Sequence, residues 1–242
     1  MTLAIALGVR NIRCTIYEQS ARITEIGAGV GIHPGAVRSL SLCDPSLAEA
    51  FDRVASLNGW PSKHAVWFDC LDGMSEVPAP ELQPLFEMIG ANGGNNPTRA
   101  AHRARFMDEL VKLLPDGIAQ FNKRLQDITE DPVSGKMTIK FCDGSVAEAD
   151  AVLGCDGIKS RTRALMVGED HPAAKCSYSH KYAYRGLIPM TEAIEALGAE
   201  KAENSVMWVR LPMPFGVVST VDEGDSCNKL TVSRRWGRTV MS

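Results

Sequence analysis

The chain opens on an uncharged apolar run, Met1-Thr-Leu-Ala-Ile-Ala-Leu-Gly8, which reads as the last turns of a buried helix. A short strand follows over residues 12–17 and stops at the acidic Glu18. Pro34 opens a predicted helix over 34–42, since proline is pre-set for the first helical position. Leu47, Phe51 and Val54 then recur at helical spacing within 45–57. Ala65-Val-Trp-Phe68 and the Pro, Gly and Asn residues that run through Pro97 predict short strands and loops. Over 100–114 the pattern is that of an amphipathic helix, with Phe106, Leu110 and Leu113 on one face. Asp143-Gly144 between two alternating runs, 137–142 and 145–149, is a hairpin signal. Ala151-Val-Leu153 reads as a buried strand, and 182–188, 205–211, 216–221 and 230–233 are strand-like. No internal repeat or low-complexity tract interrupts the order.

Helices interleaved with strands, giving way to a run of strands, predict an α/β chain of two lobes: a parallel nucleotide-binding sheet with helices, then an antiparallel sheet. A ligand cleft is expected between the lobes. At 242 residues, 45% hydrophobic and 23% charged, the chain has the composition of a globular protein. The net charge of -3 offers no electrostatic attraction to nucleic acid or an acidic membrane. Seven cysteines, at 14, 43, 70, 142, 155, 176 and 227, form no CxxC pair, so zinc and redox-disulfide chemistry lack support. An odd, scattered set fits reduced thiols and a cytoplasmic location. The apolar start is too short to span a bilayer and lacks the features of a secretory signal. His33, His64, His171 and His180 show no metal-ligand spacing, and no metal is expected. GxSxG, HExxH and GxxxxGK[ST] motifs do not occur.

Four places carry candidate chemistry. In a βαβ dinucleotide fold, an acid at the end of the second strand accepts hydrogen bonds from the adenosine ribose, and Glu18 stands there. The glycine loop that would hold a pyrophosphate ahead of the helix is not in the sequence. Glu25-Ile-Gly-Ala-Gly-Val-Gly31-Ile-His-Pro34 is not a substitute, because Ile32 stands where the third glycine of GxGxxG would fall. Two readings of it stay open: a turn before a helix, or backbone lying against a large planar ligand, which glycines permit. Asp156-Gly157 is either a plain turn or part of a ligand loop. Arg185, on a predicted strand, brings a permanently charged planar fork suited to a phenolate or carboxylate.

Tyr17-Glu18, the helix-opening His102-Arg103 and Leu153-Gly-Cys-Asp-Gly-Ile-Lys-Ser-Arg-Thr-Arg163 occur here in the order seen in one family. The chain resembles the FAD-dependent aromatic hydroxylases, the group of salicylate hydroxylase and para-hydroxybenzoate hydroxylase. Glu25–Ile32 and Tyr184-Arg-Gly-Leu-Ile-Pro-Met190 are similar to segments of its fungal salicylate-hydroxylase-like branch. The resemblance runs from residue 1 to about Leu211. It implies that Glu18 binds the FAD ribose, that Gly31 places its backbone against the cofactor, and that Arg103 contacts the flavin dinucleotide near its pyrophosphate. Asp156 and Gly157 would match a motif used for both FAD and NAD(P)H, and Arg185 would face the flavin ring and substrate as the catalytic residue. Residues 1–58 and 97–175 would form the FAD-binding lobe, and 59–96 and 176–242 the substrate lobe.

The implied activity is hydroxylation of a phenolic or benzoate-like aromatic compound with NAD(P)H and O2, in secondary or aromatic metabolism. The expected partner is a small aromatic substrate, with no nucleic acid, no membrane and no oligomeric state specified. Family members carry a first strand with GxGxxG and a later Gly-Asp motif, neither of which is here, and Ser219 falls near a tyrosine common in the branch. Both absences lead to the expectation of a chain cut at both ends. Two alternatives follow, a non-catalytic remnant of such an enzyme or an NAD(P)-only dehydrogenase. The latter would need a complete glycine loop and a catalytic Tyr-Lys or His, which cannot be assigned.

Overall fold

The computed structural model describes residues 1–23, 29–90, 97–178, 181–210, 213–221 and 229–237, with side chains described through 178 and over 188–209. In chain order the elements are α1 (Thr2–Gly8), β1 (Ile16–Tyr17), β2 (Gly29–Ile32), α2 (Pro34–Cys43), α3 (Pro45–Asp52) and β3 (Ala55–Ser56). They continue with β4 (Val66–Asp72), β5 (Phe86–Ile89), β6 (Arg99–His102), α4 (Arg103–Val111), β7 (Ala119–Gln120), β8 (Leu125–Glu130), β9 (Met137–Phe141) and β10 (Val146–Ala149). The last are α5 (Arg161–Val167), β11 (Lys181–Pro189), α6 (Met190–Leu197), α7 (Ala199–Glu203), β12 (Val206–Arg210), β13 (Met213–Val221) and β14 (Lys229–Gly237). By contact density the chain divides into two units, one of Met1–Ile12, Glu25–Leu114 and His180–Ser242, the other of Arg13–Thr24 and Pro115–Ser179.

The first unit holds two sheets. One is six-stranded, in the order β11-β14-β13-β12-β4-β5, and antiparallel except where β12 runs parallel to β4. The other is the small sheet β2-β6-β3, antiparallel throughout. Ile5, Leu47, Ala50 and Leu110 form one buried cluster, with Phe106 and Leu113 against it, so α1, α3 and α4 meet through the apolar faces their spacing predicts. Leu71, Leu82, Ala193, Ala202 and Val206 form a second cluster, where α6 and α7 cover the large sheet.

Local chemistry sets the helix starts. His33 Nδ1 accepts from Gly35 N at 3.2 Å, so this histidine caps α2 just ahead of Pro34. Asp44 does the same for α3, accepting from Ser46 N at 2.9 Å and from the Ser46 hydroxyl. Those bonds, the hydroxyl's first, hold its carboxyl below the ordinary value.

The second unit is smaller: the parallel pair β1-β7, the meander β10-β9-β8 and α5. The hairpin about Asp143-Gly144 forms as its sequence predicts, with Val146 opposite Lys140 and Ala149 opposite Met137. Lys123 Nζ donates to Asp143 at 2.8 Å and to Ser145 Oγ at 2.7 Å, fastening the turn to the segment that leads into β8.

Three elements depart from the periodicity. Residues 100–102 are strand, not helix: Ala100 and Ala101 lie between β2 and β3, and Ala101 is fully buried there. Pairing on both sides overrides the helical preference of alanine, and the helix starts at Arg103. Residues 151–153 are not a strand, and Leu153 is 61% exposed. The third difference is an addition: α6 and α7 lie between the predicted strands 182–188 and 205–211, where Ala193, Ile194 and Leu197 recur at helical spacing against Leu71 and Val206.

Candidate functional site

β1 and β7 pair in parallel, with Ile16 opposite Ala119 and Tyr17 opposite Gln120. Glu18 is the next residue, its N–H donating to Gln120 O at 2.9 Å. It therefore stands at the carboxyl end of a parallel strand pair, the edge at which open α/β sheets take their ligands. The strand is shorter than the predicted 12–17, but its end is where the sequence places it. Tyr17 anchors it, its ring 4.7 Å from that of Phe141. Glu18 Oε1 accepts from Ser20 N at 2.8 Å and Ser20 Oγ at 2.9 Å. These bonds fix the half-buried carboxylate in orientation and leave Oε2 able to accept from an external hydroxyl.

Asp156 is committed to its own loop. Its Oδ2 accepts from Arg161 N at 2.7 Å and Thr162 N at 2.9 Å, and its Oδ1 from Ser160 Oγ at 2.5 Å. Burial pushes its carboxyl up, but the bonds from Ser160 and Thr162 outweigh this, so its pKa lies below the ordinary value. Ser160 Oγ in turn accepts from Arg163 N at 2.9 Å, and together they close the start of α5. Gly157 has φ +76°, a left-handed conformation that disfavours any side chain. The pair thus builds a fixed turn, and a ligand there would meet backbone rather than the Asp156 carboxylate.

Gly31 and Arg103 both belong to the first unit. In the β2–β6 ladder Gly31 faces Ala100 and Gly29 faces His102, and Arg103 follows as the first residue of α4. Gly31 is exposed, and a Cβ built on it would meet Thr98 Cγ2 and Trp67 Nε1 at an ordinary 3.9 Å. No neighbour among the described residues forces glycine here, since a side chain of one carbon would sit in ordinary contact with Thr98 and Trp67. Thr98 and Trp67 were not legible as site residues. Thr98 is an unremarked residue in a loop, and Trp67 reaches Gly31 from a strand distant in sequence.

Arg185 lies on β11 opposite Ser233 of β14, so the predicted strand holds, while its side chain lies outside the described residues. Glu18, Asp156 and Gly157 fall in the second unit, and Gly31, Arg103 and Arg185 in the first. Among the described residues no group of three or more His, Cys, Asp or Glu could hold a metal ion. No described helix is long and apolar enough to cross a membrane.

No family model matches the chain. Among proteins of known activity it is 46% identical over 203 residues to the FAD-dependent monooxygenase pigN of Monascus ruber, covering 84% of this chain and 45% of that protein. It is 40% identical over 243 residues to the 6-methylsalicylate 1-monooxygenase atA of Aspergillus terreus, covering 98% and 52%. Among solved structures it superposes on a salicylate hydroxylase substrate complex with a TM-score of 0.72 at 24% identity, covering 99% of this chain and 54% of that one. The chain spans about half the length of the curated relatives it matches. The mixed α/β fold and the resemblance carried by Tyr17-Glu18, His102-Arg103 and the 153–163 segment both hold.

Proposed function

We propose that this chain, a homologue of fungal FAD-dependent monooxygenases, serves hydroxylation of a phenolic or benzoate-like aromatic compound, with NAD(P)H and O2 as co-substrates. The observation that carries the reading is Glu18, held by Ser20 at the carboxyl end of a parallel strand with one carboxylate oxygen still able to accept. Gly31, exposed and without a side chain on β2, would let a flat cofactor approach the backbone. When bound, FAD supplies the redox chemistry, taking electrons from NAD(P)H and using O2 to oxygenate the ring.

The residues of this chain would bind and orient. Glu18 accepts from the ribose hydroxyls, Gly31 offers backbone to the cofactor, and Arg103 contributes positive charge toward the pyrophosphate. Asp156 and Gly157 shape a turn that both nucleotides could meet. Arg185 would stabilise negative charge on the substrate. By ligand, residues 1–58 and 97–175 are assigned to FAD and 59–96 and 176–242 to the substrate, a grouping distinct from the two contact units.

The test is FAD affinity. Glu18→Ala removes charge-assisted bonds of about 1.5–3 kcal/mol, or roughly tenfold to a hundredfold in Kd, with little effect on folding. Unchanged affinity in a titration would sink the assignment. Arg185→Lys keeps the charge and loses the planar fork, so most of the turnover should disappear while FAD stays bound. NAD(P)H oxidation coupled to product formation at the wild-type rate would remove Arg185 from the mechanism.

A further inference from the structure

The turn that carries Glu18 is held from the neighbouring segment by a residue in an uncommon conformation. Asn122 has φ +59°, and with Asn11 it is one of two non-glycine residues at positive φ among the described residues. Along a strand successive N–H groups point to opposite sides, whereas a left-handed residue turns its own N–H and the next one to the same side. Here Asn122 N donates to Ser20 O at 3.0 Å and Lys123 N to Glu18 O at 2.9 Å. With the bond from Glu18 N to Gln120 O at 2.9 Å, residues 18–20 are fastened by three backbone bonds to the chain that leaves β7. Ser20, placed in this way, gives its N–H and its hydroxyl to Glu18 Oε1. Lys123 is itself tied down. Its Nζ donates to Asp143 and Ser145 and lies 5.6 Å from the centroid of the Phe141 ring, which meets Tyr17.

We infer that Asn122 is a positioning residue for the Glu18 carboxylate, and through it for the ribose of an adenosine nucleotide. This rests on the flavin-monooxygenase reading and deepens it by naming a residue that acts on the ligand only through Glu18. Asparagine is among the few residues besides glycine that adopt the left-handed region readily, and a β-branched side chain there is strongly disfavoured. Asn122 is exposed, so a change of its side chain disturbs no core packing and acts through the backbone. With valine at 122 the strain is relieved by opening the turn, which releases Ser20 and with it the Glu18 carboxylate. A ligand must then close the turn before Glu18 can accept from it, and its apparent affinity falls by the fraction of closed chains.

FAD is titrated calorimetrically into the unaltered chain, Asn122→Gly, Asn122→Val, Ser20→Ala and Glu18→Ala, and into Asn122→Val combined with Glu18→Ala. Asn122→Val should weaken FAD by about fivefold to thirtyfold, the usual cost of forcing a side chain into the left-handed region expressed as affinity. Asn122→Gly adopts that region freely and should bind within about twofold of the unaltered chain. Ser20→Ala should weaken FAD by about threefold to tenfold, as expected for one lost hydrogen bond. In the Glu18→Ala background, Asn122→Val should change the affinity by less than about twofold, because the carboxylate it positions is gone. A merely structural asparagine would weaken FAD by the same factor in both backgrounds, and that result overturns the inference. Asn122→Gly binding as weakly as Asn122→Val also overturns it, since the side chain and not the conformation would then matter. Asn122→Val binding like the unaltered chain while Glu18→Ala is weakened overturns the inference and leaves the ribose reading standing. FAD bound equally by the unaltered chain and Glu18→Ala, or not bound by the unaltered chain, overturns both.

Discussion

Lys63→Met should be among the most destabilising single changes in the first unit, at about 3–5 kcal/mol, because it leaves a buried carboxylate without its countercharge. Lys63 Nζ lies 2.9 Å from Asp69, 2.7 Å from Glu87 and 3.8 Å from Glu200. The Lys63 and Asp69 side chains are only 11% and 5% exposed, so neither charge can be solvated once its partner is gone. Burial alone would lower the Lys63 pKa, but its bonds to Glu87 and Asp69 outweigh it and the pKa lies above the ordinary 10.5. A raised lysine pKa means that its contribution is whole below the unfolded value and is lost as pH rises through the folded one. Measurements at neutral pH therefore see all of it, and only strongly alkaline solution erodes it.

The loop that carries this lysine has no slack to relax. Asn58 Nδ2 donates to Lys63 O at 3.1 Å and Val66 O at 2.9 Å, while Ser205 N donates to Asn58 Oδ1 at 2.8 Å. Denaturant unfolding followed by tryptophan fluorescence is the measurement. Trp60, Trp67, Trp208 and Trp236 all lie in the first unit, so the signal is confined to it. Adding Asp69→Asn to Lys63→Met should recover part of the loss by removing the orphaned charge. A loss below about 1 kcal/mol, typical of a solvated surface pair, would show that the cluster is not buried in the working protein.

The residues readable in the sequence were those whose signal is local. Glu18 at a strand end, the Asp143-Gly144 hairpin and the helix behind Pro34 are each decided within a few residues, and each stands where its pattern puts it. Residues 100–102 depart from their local pattern because their fate depends on partners 44 to 73 positions away: Ala101 pairs with Val30 on one side and Ala55 on the other. The helices over 190–203 fall between the predicted strands, in a stretch to which the pattern assigned no element. The helical spacing of Ala193, Ile194 and Leu197 was present there, between two strand patterns. Trp67 and Thr98 carry no motif at all. Both come beside Gly31 from elements far from it in sequence, and Trp67 does so at a one-residue slip in the β4–β5 register, which leaves no mark on composition or spacing.

Phe51→Ala should cost about 3–5 kcal/mol, the range for deleting a fully buried aromatic side chain. Phe51 has no exposed surface, so every contact it makes is lost and the cavity must be filled by movement or left empty. Its ring meets Phe106 edge-on, with centroids 5.4 Å apart and planes at 75°, which joins α3 to α4. Such aromatic pairs add about 0.5–1.5 kcal/mol beyond area burial. The Arg99 guanidinium lies 5.1 Å above the same ring and 2.7 Å from Asp52. Arg99 is also the first residue of β6, directly after Thr98 and opposite Ile32, so the core of the helical layer supports the strand that flanks Gly31. Phe51→Leu keeps most of the volume and should cost less than half as much. In a double-mutant cycle, Phe51→Ala and Phe106→Ala together should fall short of the sum of the single losses by about the pair energy. Strict additivity would mean that the two rings do not interact, and an unchanged midpoint for Phe51→Ala would contradict the packing of α3 against α4.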